Sequence, residues 1–281
     1  MSPETHPSYE TITVEPLSPI IGAEIGGVDL SRPLGNQQFQ EVHDALARHL
    51  VIFFRDQNID LEQQKAFGRL FGRLHIHPTA PSPEGHPEIL TVKADAKSKA
   101  VAGNRWHSDV SCEDEPPMGS ILHMRELPAT GGDTMFANMY EAYERLSEPM
   151  QQFLLGLEAW HESEHVHRQK LGLKTLQKGL TEWPRALHPI VRTHPVTGKK
   201  ALYVNSGFTT RIEGLSEKES RALLDMLFDH VQTPEFHCRF RWREKSVAFW
   251  DNRCAQHYAL WDYYPQSRLG YRVTVCGDKP V

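Results

Sequence analysis

Two kinds of hydrophobic pattern alternate along the first part of the chain. Short apolar runs at Thr11–Val14, Ile20–Ile25 and Leu50–Phe54 read as strands, while apolar residues at helical spacing predict helices over Gln37–Ala47 and Leu61–Phe71. From about Met118 strands predominate: Ser120–Arg125, Thr134–Ala137, Leu202–Val204, Ser246–Asp251 and Tyr271–Cys276, separated by Gly, Pro or Asn. The clearest alternation is Phe236, Cys238, Phe240 and Trp242 against His237, Arg239 and Arg241, so one face is buried and the other is wet or lines a site. Helices are expected at Met139–Arg145, Glu148–Leu157 and Glu217–His230, the last opened by a Ser216/Glu219 capping box. This mixture predicts an α+β protein built on a β-sandwich or barrel.

Composition narrows the class. No repeat and no long Gly/Ser-rich or Pro-rich stretch divides the 281 residues, so residues 1–281 are expected to form one domain with a flexible lead over 1–10. That length is near the upper size of a single core, about 250–300 residues. With 31 Lys+Arg against 36 Asp+Glu, a net charge of −5, the chain lacks the basic excess of a nucleic-acid binder. Its longest aliphatic-aromatic run, Leu50–Phe54, is far short of the roughly 18 apolar residues that a membrane span requires. The N-terminus has no basic stretch leading into an apolar core, so it does not read as a signal peptide. Cys112, Cys238, Cys254 and Cys276 form no CxxC pair and read as reduced thiols of a cytoplasmic protein. The count of 16 His directs attention to metal ligation.

His107-x-Asp109 is the first candidate, because residues at i and i+2 of an extended segment point to one side and can grip one ion together. Two His and one carboxylate on one face of an iron ion, with the opposite positions open, define non-haem Fe(II) oxygenases. The pair alone is a common accident in surface strands. Its company raises it: His257 follows Trp250, Asp251 and Asn252, and Arg268 and Arg272 stand four apart beyond it, so both can face one cavity and bind anionic groups. Trp106 and Asn252 are candidates either for orienting the ligands or for ordinary packing and turn formation.

The segments IIGAEIGGVDLSRPL (20–34), LVIFFRDQ (50–57), FGRLHIHP (71–78), WHSDVS (106–111), ELPATGGDT (126–134), HPIVRTHPVTGKKALYVNSGFTTRI (188–212) and FWDNRCAQHYA (249–259) resemble the taurine dioxygenase family. These Fe(II)- and 2-oxoglutarate-dependent oxygenases include alkylsulfatases and aryloxyalkanoate dioxygenases. The resemblance runs from about residue 11 to 281. It implies a double-stranded β-helix (jelly-roll, cupin-like) core with flanking helices. It also implies hydroxylation of a C–H bond in a small anionic substrate, coupled to breakdown of 2-oxoglutarate and O2 to succinate and CO2.

By this resemblance His107, Asp109 and His257 are the catalytic iron ligands, and Thr134 and Arg268 hold the distal carboxylate of 2-oxoglutarate. Arg272 faces the acidic group of the substrate, with His77, Val110 and Phe208 lining its pocket. Where taurine enzymes carry a Tyr, an Asn and a Phe, this chain has Ala80, Gly103 and Cys112. Those changes widen the pocket and remove donors, which favours a sulfate ester, a bulkier sulfonate or an aryloxyalkanoate over taurine, since a lost hydrogen bond discriminates more than a lost methylene. Family members are often dimers or tetramers, so a homo-oligomer is expected.

Two rival readings carry different chemistry. His161-Glu162-x-x-His165 matches the zinc metalloprotease signature, which needs both histidines on one helix face; Gly156 and Trp160 suggest that the preceding helix ends before it. A non-catalytic binding protein on the same fold would be expected to lack one of the three ligands, and all three are present. His75-x-His77 and His165-x-His167 have no well-placed carboxylate and read as packing or pocket lining.

Overall fold

The computed structural model describes residues 9–77, 81–101, 103–164 and 182–281. The chain begins with β1 (Thr13–Pro16) and β2 (Ala23–Gly26), then α1 (Asn36–His49), β3 (Val51–Phe54), α2 (Leu61–Arg69) and β4 (Ile89–Ala94). Next come β5 (Gly119–Glu126), β6 (Thr134–Asn138), α3 (Met139–Glu144), α4 (Glu148–Leu154) and β7 (Glu158–Glu162). β8 (Arg185–Pro189), β9 (Val191–Thr193), β10 (Lys200–Leu202), β11 (Thr209–Ile212) and α5 (Glu217–Val231) follow. The last strands are β12 (His237–Phe240), β13 (Val247–Asp251), β14 (Ala255–Ala259) and β15 (Arg268–Val275).

Seven strands form one sheet in the order β1-β2-β3-β13-β5-β15-β4, antiparallel except where β2 meets β3. A second sheet, β12-β6-β14, is antiparallel throughout. The large sheet is covered on both faces, which explains why β3 and β13 are apolar at consecutive positions instead of alternating. Val51, Phe53, Ala248 and Trp250 join the core shared with the second sheet and α3, while Ile52, Phe54, Val247 and Phe249 pack with Val42, Ala45 and Leu46 of α1 and Phe67 of α2. Phe53 of the large sheet stacks on Phe240 of the small one with centroids 3.8 Å apart, and Arg55 caps the far side of Phe240 at 4.1 Å. Burying each such ring contributes about 1.5–3 kcal/mol, so this seam fixes how the two sheets face each other.

Most expected elements are present with boundaries shifted by a few residues. Ser216 and Glu219 form the capping box of α5, and the alternation at 236–242 holds in burial, although Pro234–Phe236 makes a 3-10 turn and the strand is confined to β12. The expected strand Leu202–Val204 is displaced toward its start. β10 ends at Leu202, opposite Val191, and Tyr203 and Val204 continue as an irregular buried segment. β4, β7, β8, β9, β11 and β14 had no clear strand pattern; β14 contains Gln256 and His257 at consecutive buried positions, and its pairing with β6 defines it.

Candidate active site

His107, Asp109 and His257 converge although they come from distant parts of the chain. Their ligand atoms lie within 4.8 Å of one another, and all three residues are buried. His107 and His257 form an isolated antiparallel bridge, with His107 N–H donating to His257 O at 3.2 Å and His257 N–H donating to His107 O at 2.9 Å. Asp109 Oδ1 faces both rings, 3.8 Å from His107 Nε2 and 4.0 Å from His257 Nε2.

Hydrogen bonding decides which lone pairs are available. His107 Nδ1 donates to Arg105 O at 2.8 Å, so its proton sits there and Nε2 presents a lone pair to the centre. Ser120 Oγ donates to Asp109 Oδ2 at 2.7 Å, and Asn252 joins the arrangement twice. Its Oδ1 accepts the Asp109 N–H at 3.2 Å and its Nδ2 donates to Ser120 Oγ at 3.1 Å. Asn252 therefore orients the carboxylate, whereas Trp106 packs its ring on His237 at 4.4 Å. Burial alone would raise the Asp109 carboxyl, but the Arg272 guanidinium, the two imidazoles and Ser120 hold it well below the usual carboxylate range. Burial, reinforced by His107, keeps His257 well below its ordinary value and hence neutral. A carboxylate facing two imidazoles is the donor set that binds a divalent cation once the rings give up their protons to it.

A second buried cluster, His194, Asp251 and Cys254, has similar spacing but opposite hydrogen bonding. His194 Nδ1 accepts from the backbone N–H groups of Val196 and Thr197, both at 3.2 Å, so Nε2 carries the proton and donates to Asp251 Oδ2 at 3.0 Å. Arg253 engages the same carboxylate through Nε and Nη2. That cluster is a closed ion-pair network with no imidazole lone pair to offer.

Arg268 and Arg272 both project from β15. Arg268 is 4% exposed, donates to Gly132 O at 3.1 Å and to Thr134 Oγ1 at 3.5 Å, and pairs with no carboxylate among the described residues. Trp242 Nε1 also donates to Thr134 Oγ1, at 3.0 Å. A buried guanidinium without a counter-charge is an anion site by its chemistry. Arg272 Nη1 lies 2.5 Å from Asp109 Oδ1, and its Nε is buried without a hydrogen-bond partner among the described residues.

Among the expected pocket residues, Val110 follows the ligand Asp109 and Phe208 follows Gly207, which abuts His107. Val110, next to Asp109, is buried at φ 49, a left-handed conformation that is uncommon for a β-branched residue. Phe208 sits in the turn that presses Gly207 against His107: a Cβ on Gly207 would lie 2.6 Å from His107 Cβ. Gly103, at φ +85, flanks the same ring, where a Cβ would meet His107 Cε1 at 3.1 Å. His77 ends the segment tied to β15 through the His75 N–H to Thr274 O bond, and its ring is 6.1 Å from that of His75. Cys112 lines a cavity of about 730 Å³ with Arg73, His75, Glu113, Arg185 and Cys276, none of them a member of the triad. Size alone does not make that cavity a reaction centre; the triad supplies the convergent donors, so the site is assigned to the triad.

His161 and Glu162 lie on β7, a strand, where neighbouring side chains face opposite ways, so the helical geometry of the protease motif is not met. His165, His167 and Ala80 lie outside the described residues. Sequence reasoning missed Ser120, Ser111, Asn205 and Gly207, whose contacts arise only when separate segments meet.

Comparison with known proteins identifies the class. Residues 13–274 match the family described as "Taurine catabolism dioxygenase TauD, TfdA family", and the chain belongs to that family. It is 37% identical over 285 residues to an "Alpha-ketoglutarate-dependent sulfate ester dioxygenase" of Pseudomonas putida, covering 99% of this chain and 93% of that protein. An "Alkylsulfatase" of Acinetobacter baylyi is 40% identical over 267 residues, covering 92% and 83% respectively. Among solved structures, a taurine dioxygenase from Burkholderia xenovorans superposes with a TM-score of 0.84 at 39% identity, covering 97% of this chain and 93% of that one. The protein is thus a 2-oxoglutarate-dependent dioxygenase of mixed α+β fold that uses Fe(II). Among the described residues, no helix is long and apolar enough to cross a membrane.

Proposed function

We propose that this enzyme hydroxylates the carbon bearing the sulfate, sulfonate or aryloxy group of a small organic anion, so that the product collapses to a carbonyl compound. The observation that carries this reading is a His-Asp-His centre whose carboxylate oxygen is shared with Arg272, on a strand that also carries the buried Arg268, which has no counter-charge among the described residues. His107, Asp109 and His257 hold Fe(II), which when bound with 2-oxoglutarate supplies the oxidising chemistry. Arg268 and Thr134 hold the distal carboxylate of 2-oxoglutarate.

Arg272 and the metal would compete for Asp109 Oδ1. Arg272, whose Nε has no hydrogen-bond partner among the described residues, would be the group to bind the substrate anion when a metal is held by Asp109. His77, Val110 and Phe208 form the walls of the pocket. With no side chain at Gly103, beside the His107 ring, the pocket accepts an organic group larger than that of taurine. The names of the sulfate ester dioxygenase and alkylsulfatase relatives support a sulfate ester as the preferred member.

The two facing sheets are read as the walls of a double-stranded β-helix within one dioxygenase domain, in a cytoplasmic homo-oligomer. The deciding experiment is a panel of alkyl sulfates, sulfonates and aryloxyalkanoates scored for substrate-stimulated succinate formation. Stimulation by an alkyl sulfate supports the reading; no stimulation by any class defeats it.

A further inference from the structure

His161 is left unused by the metal chemistry, and the fold gives it another place. It is fully buried on β7, with Nδ1 2.9 Å from Ser111 Oγ. Asn205 Nδ2 donates to that same oxygen at 3.0 Å, and we assign the Ser111 hydrogen to His161 Nδ1, since burial keeps the ring neutral. The ring proton is then on Nε2, which faces Thr209 Oγ1 at 3.4 Å. Thr209 Oγ1 accepts the Asn205 backbone N–H at 2.9 Å, which closes a ring of four residues. Burial pushes His161 down to about 3, in keeping with the neutral imidazole that this pattern demands.

The ring ties together three segments: the one carrying Asp109, strand β7, and the turn at 205–208. Both polar groups of Phe208 are held by it or next to it. Asn205 Oδ1 accepts the Phe208 N–H at 2.8 Å, and Glu162 N–H donates to Phe208 O at 2.8 Å. Ser206 Oγ donates to Trp106 O at 3.2 Å, and Gly207 abuts His107. The main chain of Phe208 is therefore held by hydrogen bonds linked to Ser111 and His161.

We propose that His161 is a positioning residue that locks the 205–208 turn onto the metal-bearing segment and so fixes the Phe208 wall of the substrate pocket. The pocket role of Phe208 rests on the function proposed above; the locking itself does not. Removing the imidazole leaves the Ser111 hydroxyl and Thr209 Oγ1, both buried, each short of a hydrogen-bond partner, which loosens the turn while the strands beneath it stay paired.

Two readouts test this in the full chain. In the metal-free protein, amide hydrogen exchange at Glu162, Phe208 and Thr209 should accelerate about tenfold or more in His161→Leu and in Ser111→Ala, with β5 and β13 unchanged. His161→Asn, which keeps a polar atom near the Nδ1 position, should restore most of the protection. In the Fe(II)-loaded enzyme, His161→Leu should raise the KM of the best panel substrate about tenfold while the KM for 2-oxoglutarate moves by less than about twofold. Wild-type exchange at these amides in both His161→Leu and Ser111→Ala overturns the proposal, and so does acceleration spread evenly over the core strands. If His161→Leu does not fold, Ser111→Ala carries the same expectations. Exchange needs no substrate, so a silent substrate panel would defeat the proposed function and leave this inference to be judged on its own.

Discussion

His107 and His257 are joined by their backbones: each donates its N–H to the other's carbonyl, at 3.2 and 2.9 Å, and their rings stand 4.1 Å apart between centroids. The spacing of the two main-chain positions that carry the imidazoles is thus set by backbone geometry. Asp109 is then brought in by its own hydrogen bonds to Ser120 and Asn252. A centre assembled this way is rigid, which suits a site that must hold one ion while leaving half its coordination sphere to small molecules.

Replacing a ligand should remove the metal without unfolding the protein. His107→Ala and His257→Ala are each expected to weaken Mn(II) or Fe(II) binding at least about a hundredfold and to abolish release of CO2 from 2-oxoglutarate. Titration calorimetry with Mn(II), alongside a circular dichroism spectrum to confirm folding, measures the first effect. Normal turnover in either variant would remove that histidine from the ligand set.

The two arginines should separate kinetically. Arg268→Ala deletes a guanidinium held by Gly132 and Thr134 and should raise the KM for 2-oxoglutarate roughly thirtyfold, corresponding to about 2 kcal/mol for one lost charge-assisted contact. Arg272→Ala should act mainly on the organic substrate and leave succinate formation less tightly coupled to its oxidation. Equal effects of both variants on both KM values would contradict the division.

Gly207→Ala tests the packing of the turn on the first ligand. The added methyl would approach His107 Cβ to 2.6 Å and Asn205 Oδ1 to 3.0 Å, so the turn or the imidazole must move. The expected result is a loss of about 1–3 kcal/mol in stability, as in other overpacked sites, together with weaker metal binding. Denaturant melts and metal titration report the two effects, and a neutral outcome in both would show that the turn is not in contact with the ligand.

Acid should destabilise the apoprotein through histidines outside the metal set. His123 is buried and pushed down to about 4, and His161 to about 3, both chiefly by burial. Each folded-state value is below that of the unfolded chain, so the unfolded state binds more protons as pH falls. Stability is complete above about pH 6.5 and declines below it by up to about 1.4 kcal/mol per pH unit for each histidine, until the folded value is reached. Urea melts at pH 7.5, 6.0 and 5.0 would show the decline, and His123→Phe should make the curve shallower. A stability independent of pH over that range would refute the assignment of these two side chains as buried and neutral.

Much of the site was legible because its residues are chemically distinctive. His107-x-Asp109, His257 and the Arg268/Arg272 pair announce themselves by type and spacing, and the capping box at Ser216 marks the start of α5 through residue types three apart. β14, by contrast, offers no apolar alternation, since Gln256 and His257 are both buried and their environment is polar. Nothing in the neighbourhood of Ser120 or Asn205 marks them as polar partners of the site. Each acts through a single hydrogen bond or two to a residue remote in the chain, and such a bond leaves no local pattern. Arg272 shows the opposite case: its type suggests an anion, yet in the fold it rests on Asp109, because a buried carboxylate attracts the nearest cation.

Residue types alone made the chemistry available: imidazoles, one carboxylate and two guanidiniums, carried on strands whose apolar residues demand burial on two faces. The tertiary structure alone decided that His107 would present Nε2 and His194 would not. It also decided that His161 would close a hydrogen-bonded ring instead of binding zinc. The physical reason is that a lone pair's direction depends on what the opposite ring nitrogen meets, and those partners, Arg105 O, the amides after His194 and Ser111 Oγ, take their places only when the chain has folded.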